Sequence, residues 1–223
     1  MVFGYYKQML NIFAIYKPKG PSSFRMISLL RKQTGVKKIG HAGTLDPLAS
    51  GVLVVGVGRE ATRELHKIVA KDKEYLVTVK LGMTSTTDDE AGTKTIIAVD
   101  QEPELAAIKK IIPKYIGVIE QVPPQFSAIK ISGQRAYDVA RKGETVEFRK
   151  REVRIDAIEI IDYEWPLLKL KAKTGPGAYI RSLARDIGED LKCGGYVTEL
   201  ERTRVGEFGL AECVEIDKIE RIG

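Results

Sequence analysis

The stretch Gly40-His41-Ala42-Gly43-Thr44-Leu45-Asp46-Pro47-Leu48-Ala49-Ser50-Gly51 constrains this chain more than any other. Proline at 47 disfavours the helical region for the residue before it, so Asp46 is held extended or in a turn. Glycines at 40, 43 and 51 permit tight bends or a close backbone approach that a side chain would block. The loop runs directly into the apolar run Val52-Leu53-Val54-Val55, which reads as a strand. A carboxylate and an imidazole are thereby presented from a rigid loop at a strand end. Alone, Asp-Pro is ordinary turn chemistry; packing does not explain the whole string.

Around this loop the chain alternates short strands and amphipathic helices. Leu10 to Tyr16 reads as a strand entering the turn Lys17-Pro18-Lys19-Gly20-Pro21. Ser22 or Ser23 caps a helix that buries Met26, Ile27, Leu29 and Leu30 and ends near Gly35. A strand over 51–58 and a helix over 61–69 follow. Gly56-Val57-Gly58 superficially resembles a dinucleotide fingerprint, but the strand–helix alternation of such a fold is not sustained downstream, so these glycines are read as packing a strand end. Lys73 to Leu81 alternates, placing Tyr75, Val77, Val79 and Leu81 on one face. Residues 82–92 read as a polar loop, and Pro103 opens an amphipathic helix carrying Leu105, Ile108, Ile112 and Tyr115 to just before Gly117. The cluster Arg149-Lys150-Arg151-Glu152-Val153-Arg154 enters a strand, as either a charged edge or a phosphate-contact patch. Lys169, Lys171 and Lys173 alternate with Leu168, Leu170 and Ala172, and a helix over 178–187 packs Ile180, Leu183, Ala184 and Ile187.

The loop containing Asp46 resembles the signature loop of the TruB family of pseudouridine synthases, which convert uridine 55 in the T-loop of tRNA to pseudouridine. Further segments carry the same resemblance: Lys17-Pro18-x-Gly20, Lys73-Glu74-Tyr75, Pro124-Gln125-Phe126-Ser127-Ala128-Ile129-Lys130 with the following Tyr137 segment, Gly177-x-Tyr179-Ile180-Arg181, and the closing Leu200-x-Arg202-x-x-x-Gly206. The resemblance covers about residues 10 to 206. It implies an α+β pseudouridine synthase fold, with a mixed, mostly antiparallel central sheet, flanking helices and a central active-site cleft. It implies that Asp46 is the catalytic carboxylate and that Arg181 pairs with it. Tyr75 would stack on the target base and help remove the C5 proton, and His41 would support the loop and the flipped-out nucleotide. Lys17, Tyr179 and Lys130 would contact RNA. One departure stands out: Thr86 occupies a position where the family pattern has an Asp, and Asp88 and Asp89 are both candidates to replace it.

Charge and length fit this expectation. Lys and Arg number 36 against 30 Asp and Glu, a formal +6 that suits a polyanionic partner. No apolar run reaches the ~18–20 residues that cross a bilayer, and the opening residues have no basic leader or cleavage pattern. Cys193 and Cys213 are read as reduced thiols and the protein as a cytoplasmic monomer. With two histidines and two cysteines no metal-ligand cluster is expected, and no cofactor is implied. The expected organisation is an N-terminal extension over 1–9, a catalytic domain over 10–211 and a short tail over 212–223. No C-terminal PUA-type domain is expected, so an isolated T-stem-loop should bind as tightly as whole tRNA. Two other readings compete. A noncatalytic tRNA-binding or folding factor has no use for Asp46, and a nucleoside glycosidase pairing Asp46 with Asp88 or Glu90 is disfavoured by an arginine beside the first carboxylate.

Overall fold

The computed structural model describes residues 11–127, 130–131, 134–135 and 148–219. In chain order the described elements are β1 (Ile12–Lys17), α1 (Ser23–Thr34), β2 (Ile39–His41), β3 (Ser50–Val57), α2 (Arg59–Val69) and β4 (Lys73–Leu81). They continue with β5 (Met83–Ser85), β6 (Lys94–Ile96), α3 (Leu105–Ile111), β7 (Gly117–Gln121), β8 (Lys130–Ile131) and β9 (Gln134–Arg135). The remainder is β10 (Arg151–Glu164), β11 (Leu167–Thr174), α4 (Ile180–Asp190), β12 (Gly195–Val205), β13 (Phe208–Gly209) and β14 (Cys213–Val214). The class is α+β with mixed, mostly antiparallel strand pairing. Among the described residues no helix is long and apolar enough to cross a membrane.

The chain divides into two compact units, Met1–Tyr75 with Leu200–Gly223, and Leu76–Glu199. In the first, β3 is the central strand, buried from Gly51 to Val57. It pairs antiparallel with β1 and β2, and parallel with β12 where Ser50 and Gly51 face Glu201 and Arg202. Its core joins Ala14, Ala42, Val52, Val54, Leu65, Ile68 and Val205, with Phe208 and Cys213 packed against them. Gly56 lets α2 approach, since a Cβ there would lie 3.1 Å from the Ala61 backbone. Ser22 is the α1 N-cap, its side chain accepting a hydrogen bond from the Arg25 N–H at 3.2 Å, and Gly35 ends the helix with φ +77°.

In the second unit β4, β11, β10 and β7 lie side by side in that order. The alternation of β4 holds, with Val77, Val79 and Leu81 buried, and β11 buries Leu168, Leu170 and Ala172 while its three lysines face out. Three expectations need correction. Leu29, expected in the buried face of α1, is 37% exposed. The helix expected to run to Tyr115 stops at Ile111 and tightens into a 3₁₀ turn over Ile112–Tyr115, because Pro113 cannot donate the next helical hydrogen bond. The polar stretch 82–92 is not all loop: β5 folds back on β6, pairing Met83 with Ile96 and Ser85 with Lys94.

Candidate active site

The backbone of the Asp46 loop is fixed on several sides within the first unit. Ala42 N–H donates to the Val54 carbonyl at 2.8 Å, Gly20 N–H to the Pro47 carbonyl at 2.7 Å, and Ala49 N–H to the Asp46 carbonyl at 3.0 Å. Ser23, buried in the first turn of α1, accepts from the Leu45 N–H at 2.9 Å and donates to the Leu45 carbonyl at 3.0 Å. The turn at Lys17–Pro21 and the start of α1 are therefore the braces of this loop. Asp46 itself is half-buried.

The charge that organises the site is Arg202, which in the sequence stands out only as part of the closing Leu200-x-Arg202 motif. Its side chain is 2% exposed, and it donates from Nε to the Val52 carbonyl at 2.8 Å and from Nη2 to the Gly43 carbonyl at 3.1 Å. Burial lowers its pKa; a hydrogen bond to the Tyr75 hydroxyl and the Asp46 carboxylate oppose this. A buried guanidinium remains a cation at physiological pH. It is seated by two glycines. At Gly51, φ +105°, a Cβ would fall 2.2 Å from the Arg202 carbonyl oxygen, and at Gly43, φ +86°, it would lie 3.5 Å from Arg202 Nη1.

Three further titratable groups feel this cation. Lys17 is fully buried, and its Nζ donates to the Pro18 carbonyl at 2.9 Å and the Pro21 carbonyl at 2.8 Å. Burial pushes its pKa down to about 8, with Asp46 pulling it up and Arg202 pushing it further down. Lys73 is also pushed down to about 8 by burial and by Arg202; its Nζ donates to the Val69 carbonyl at 2.6 Å, closing the end of α2. His41, paired with Val55 across β2 and β3, has its pKa lowered by burial and then by Arg202, so its imidazole is neutral at physiological pH. Its Nδ1 is buried without a hydrogen-bond partner among the described residues.

The second unit holds Arg181 and Tyr179. Arg181 is buried in the first turn of α4, where it donates to the Thr87 carbonyl at 3.1 Å and the Phe126 carbonyl at 2.9 Å and lies 3.5 Å from an Asp89 carboxylate oxygen. Asp89 also accepts from Thr87 Oγ1 at 2.5 Å and from Ala91 N–H at 2.9 Å. Asp88, at φ +57°, instead pairs with Arg185 at 2.9 Å; burial raises its pKa while Arg185 opposes the shift. The two acidic residues after Thr86 thus serve different arginines, and it is Asp89 that pairs with Arg181. Thr86 accepts the Thr93 N–H at 3.1 Å and so closes the β5–β6 turn. Tyr179 is held by a buried glutamine missed in the sequence: Gln121 accepts from the Tyr179 N–H at 3.0 Å and donates to its carbonyl at 3.3 Å.

Lys17, His41, Asp46 and Tyr75 are thus brought together in the first unit around Arg202, whereas Tyr179 and Arg181 belong to the second. Lys130 is in β8, and its side chain lies outside the described residues, as does all of Tyr137. Among the described residues no three His, Cys, Asp or Glu side chains converge as metal ligands.

Residues 31–180 match the family model described as TruB family pseudouridylate synthase (N terminal domain). Residues 181–222 match the tRNA pseudouridylate synthase B C-terminal domain. A tRNA pseudouridine synthase B of Brucella anthropi is 45% identical over 206 residues, 92% of this chain and 63% of the relative. The like-named protein of Chlamydia abortus is 42% identical over 205 residues, covering 86% of that protein. The chain therefore spans 63% of the Brucella protein and most of the Chlamydia one. Among solved structures, one from the crystal structure of a Cbf5-Nop10-Gar1 complex superposes with TM-score 0.72 at 28% identity, over 92% of this chain and 52% of that one.

Proposed function

The chain belongs to the TruB family of pseudouridylate synthases, and from that footing we propose that it isomerises uridine to pseudouridine in tRNA, at position 55 of the T-loop, with Asp46 as the essential carboxylate. The reaction breaks the N1–C1′ bond, turns the detached uracil and joins C5 to C1′. The C5 proton is lost and N1 gains one, so no atom is added and no cofactor is consumed. Asp46 acts at the sugar, by attack or by assisting elimination. Either role needs the ionised carboxylate, and the positive charge of Arg202 favours that form.

The observation that carries this reading is the placing of Asp46 on a loop braced by Ser23, Gly20 and Ala42, in the field of the buried cations Arg202 and Lys17. Tyr75, whose hydroxyl accepts from Arg202, is the stacking and proton-removing residue. The target must leave its stack, at a cost of a few kcal/mol, before the site can reach it. The neutral His41 is suited to the vacated space. Arg181 and Tyr179 enter through the family resemblance.

Unmodified tRNA transcript incubated with the protein and mapped by carbodiimide and primer extension tests the proposal. The wild-type chain is expected to modify uridine 55, and Asp46→Asn to bind the transcript while forming no pseudouridine. A wild-type chain that binds but leaves uridine 55 unchanged would favour a noncatalytic factor, and an active Asp46→Asn would remove the carboxylate from the mechanism.

A further inference from the structure

No Asp or Glu precedes Asp46, whereas eight Lys and Arg do; the excess positive charge of the chain is concentrated in its first 45 residues. Six of these eight, Lys19, Arg25, Arg31, Lys32, Lys37 and Lys38, lie on α1 and the turns that flank it in the first unit. α1 buries Ser23, Met26, Ile27, Leu30 and Thr34 and turns Phe24, Arg25, Leu29 and Lys32 outward. Lys19 in the preceding turn, and Lys37 and Lys38 in the following one, are exposed as well. Several exposed lysines elsewhere have carboxylate partners: Lys67 with Glu64, Lys114 with Asp190, Lys150 with Glu120 and Lys218 with Glu215. Among the described residues no ion pair involves Lys19, Arg25, Lys32, Lys37 or Lys38. Amid these cations stands Phe24, 66% exposed, with the Arg31 guanidinium 5.8 Å from its ring centroid.

Uncompensated charge of one sign around an exposed aromatic ring has the makings of a polyanion surface with a stacking platform. Its position relates it to the Asp46 loop. Ser23, next to Phe24, grips Leu45; Gly20, next to Lys19, grips Pro47; and the strand after Lys38 leads to His41.

We propose that the outer face of α1 and its two flanking turns, through Lys19, Phe24, Arg25, Lys32, Lys37 and Lys38, is a docking surface for the RNA substrate, with the cations on phosphates and Phe24 stacked on an unpaired base. This surface rests on the reading of the protein as an RNA-modifying enzyme, but it makes a separate claim about grip. It serves binding, whereas the Asp46 loop serves chemistry.

The test measures the affinity of a T-stem-loop RNA as a function of salt for the combined variant Arg25→Gln, Lys32→Gln, Lys37→Gln and Lys38→Gln, for Phe24→Ser, and for the control Lys109→Gln with Lys110→Gln on α3. The combined variant is expected to bind about tenfold or more weakly, with its log–log salt slope reduced by about 2 to 3, since each duplex phosphate contact contributes about 0.9. Phe24→Ser is expected to lose about tenfold in affinity with the slope intact, and single-turnover rates at saturating RNA should be unchanged in both. Wild-type affinity and slope in the combined variant would overturn the proposal, as would an equal loss in the control. Loss of binding to anionic vesicles with RNA affinity intact would do the same by assigning the surface to a membrane. If the wild-type chain forms no pseudouridine yet the combined variant loses RNA affinity, the docking surface stands and the catalytic reading falls.

Discussion

Ser23 Oγ grips both main-chain groups of Leu45, accepting the N–H at 2.9 Å and donating to the carbonyl at 3.0 Å. One hydroxyl thus fixes the position of the peptide that leads into Asp46. Removing it in Ser23→Ala leaves a buried donor and acceptor unpaired, at a cost of roughly 1–3 kcal/mol. Urea denaturation should show that loss, and turnover should fall further than RNA affinity because the carboxylate is displaced and not removed. Equal declines in both would mean that the bridge only stabilises the fold.

Gly51 and Gly20 separate steric contact from backbone strain. Both adopt φ above +100°, but a Cβ at Gly51 would lie 2.2 Å from the Arg202 carbonyl oxygen, whereas at Gly20 nothing is within 4 Å. Gly20→Ala should therefore cost only the left-handed penalty of about 1–2 kcal/mol. Gly51→Ala must in addition push β12 away from β3, and it should give little soluble, cooperatively melting protein. Thermal melts of similar midpoint for the two would contradict the close approach.

Arg202→Lys keeps a cation but cannot hold the Val52 and Gly43 carbonyls and the Tyr75 hydroxyl together. The expected result is near-normal RNA binding with kcat lowered about tenfold or more, as removing a positioning contact can do. Arg202→Met, which also removes the charge, should be worse in both stability and rate. A fully active Arg202→Lys would show that charge alone suffices.

Lys17 and Lys73 give stability an alkaline signature. Each has a folded pKa near 8 against 10.5 when unfolded. Between those values the unfolded chain binds more protons, so each lysine makes stability rise with pH from about 8 to about 10.5. Below pH 8 the folded state carries the full cost of the buried ammonium. Lys17→Met should flatten that rise, measured as the difference in urea midpoint between pH 7.5 and 9.5. A slope unchanged by the substitution would mean that Lys17 titrates near its ordinary value.

Local pattern made much of this architecture legible. The alternation of β4 placed Val77, Val79 and Leu81 inside, and Ser22 and Gly35 marked the ends of α1. The same alternation also carries Lys73 on the face of Tyr75, and Arg202 on that of the buried Leu200. What sequence could not supply was their partners. The carbonyls that Arg202 holds lie about 150 positions earlier, at Val52 and Gly43, and nothing local announces them. Gln121 is a similar case, since its grip on Tyr179 spans 58 residues. The short β5–β6 hairpin escaped because its threonines and serines suit a turn as well as a strand.

The first unit is assembled from two stretches far apart in sequence, with Leu200–Gly223 returning to Met1–Tyr75. During synthesis, the loop that carries the proposed nucleophile emerges first, and the arginine beneath it is made 156 residues later. A ribosome-bound nascent chain is therefore expected to hold an unfinished catalytic centre until β12 has cleared the exit tunnel and settled beside β3. On the proposed mechanism, competence would then arrive in a single step, and products truncated before β12 would be inactive on RNA.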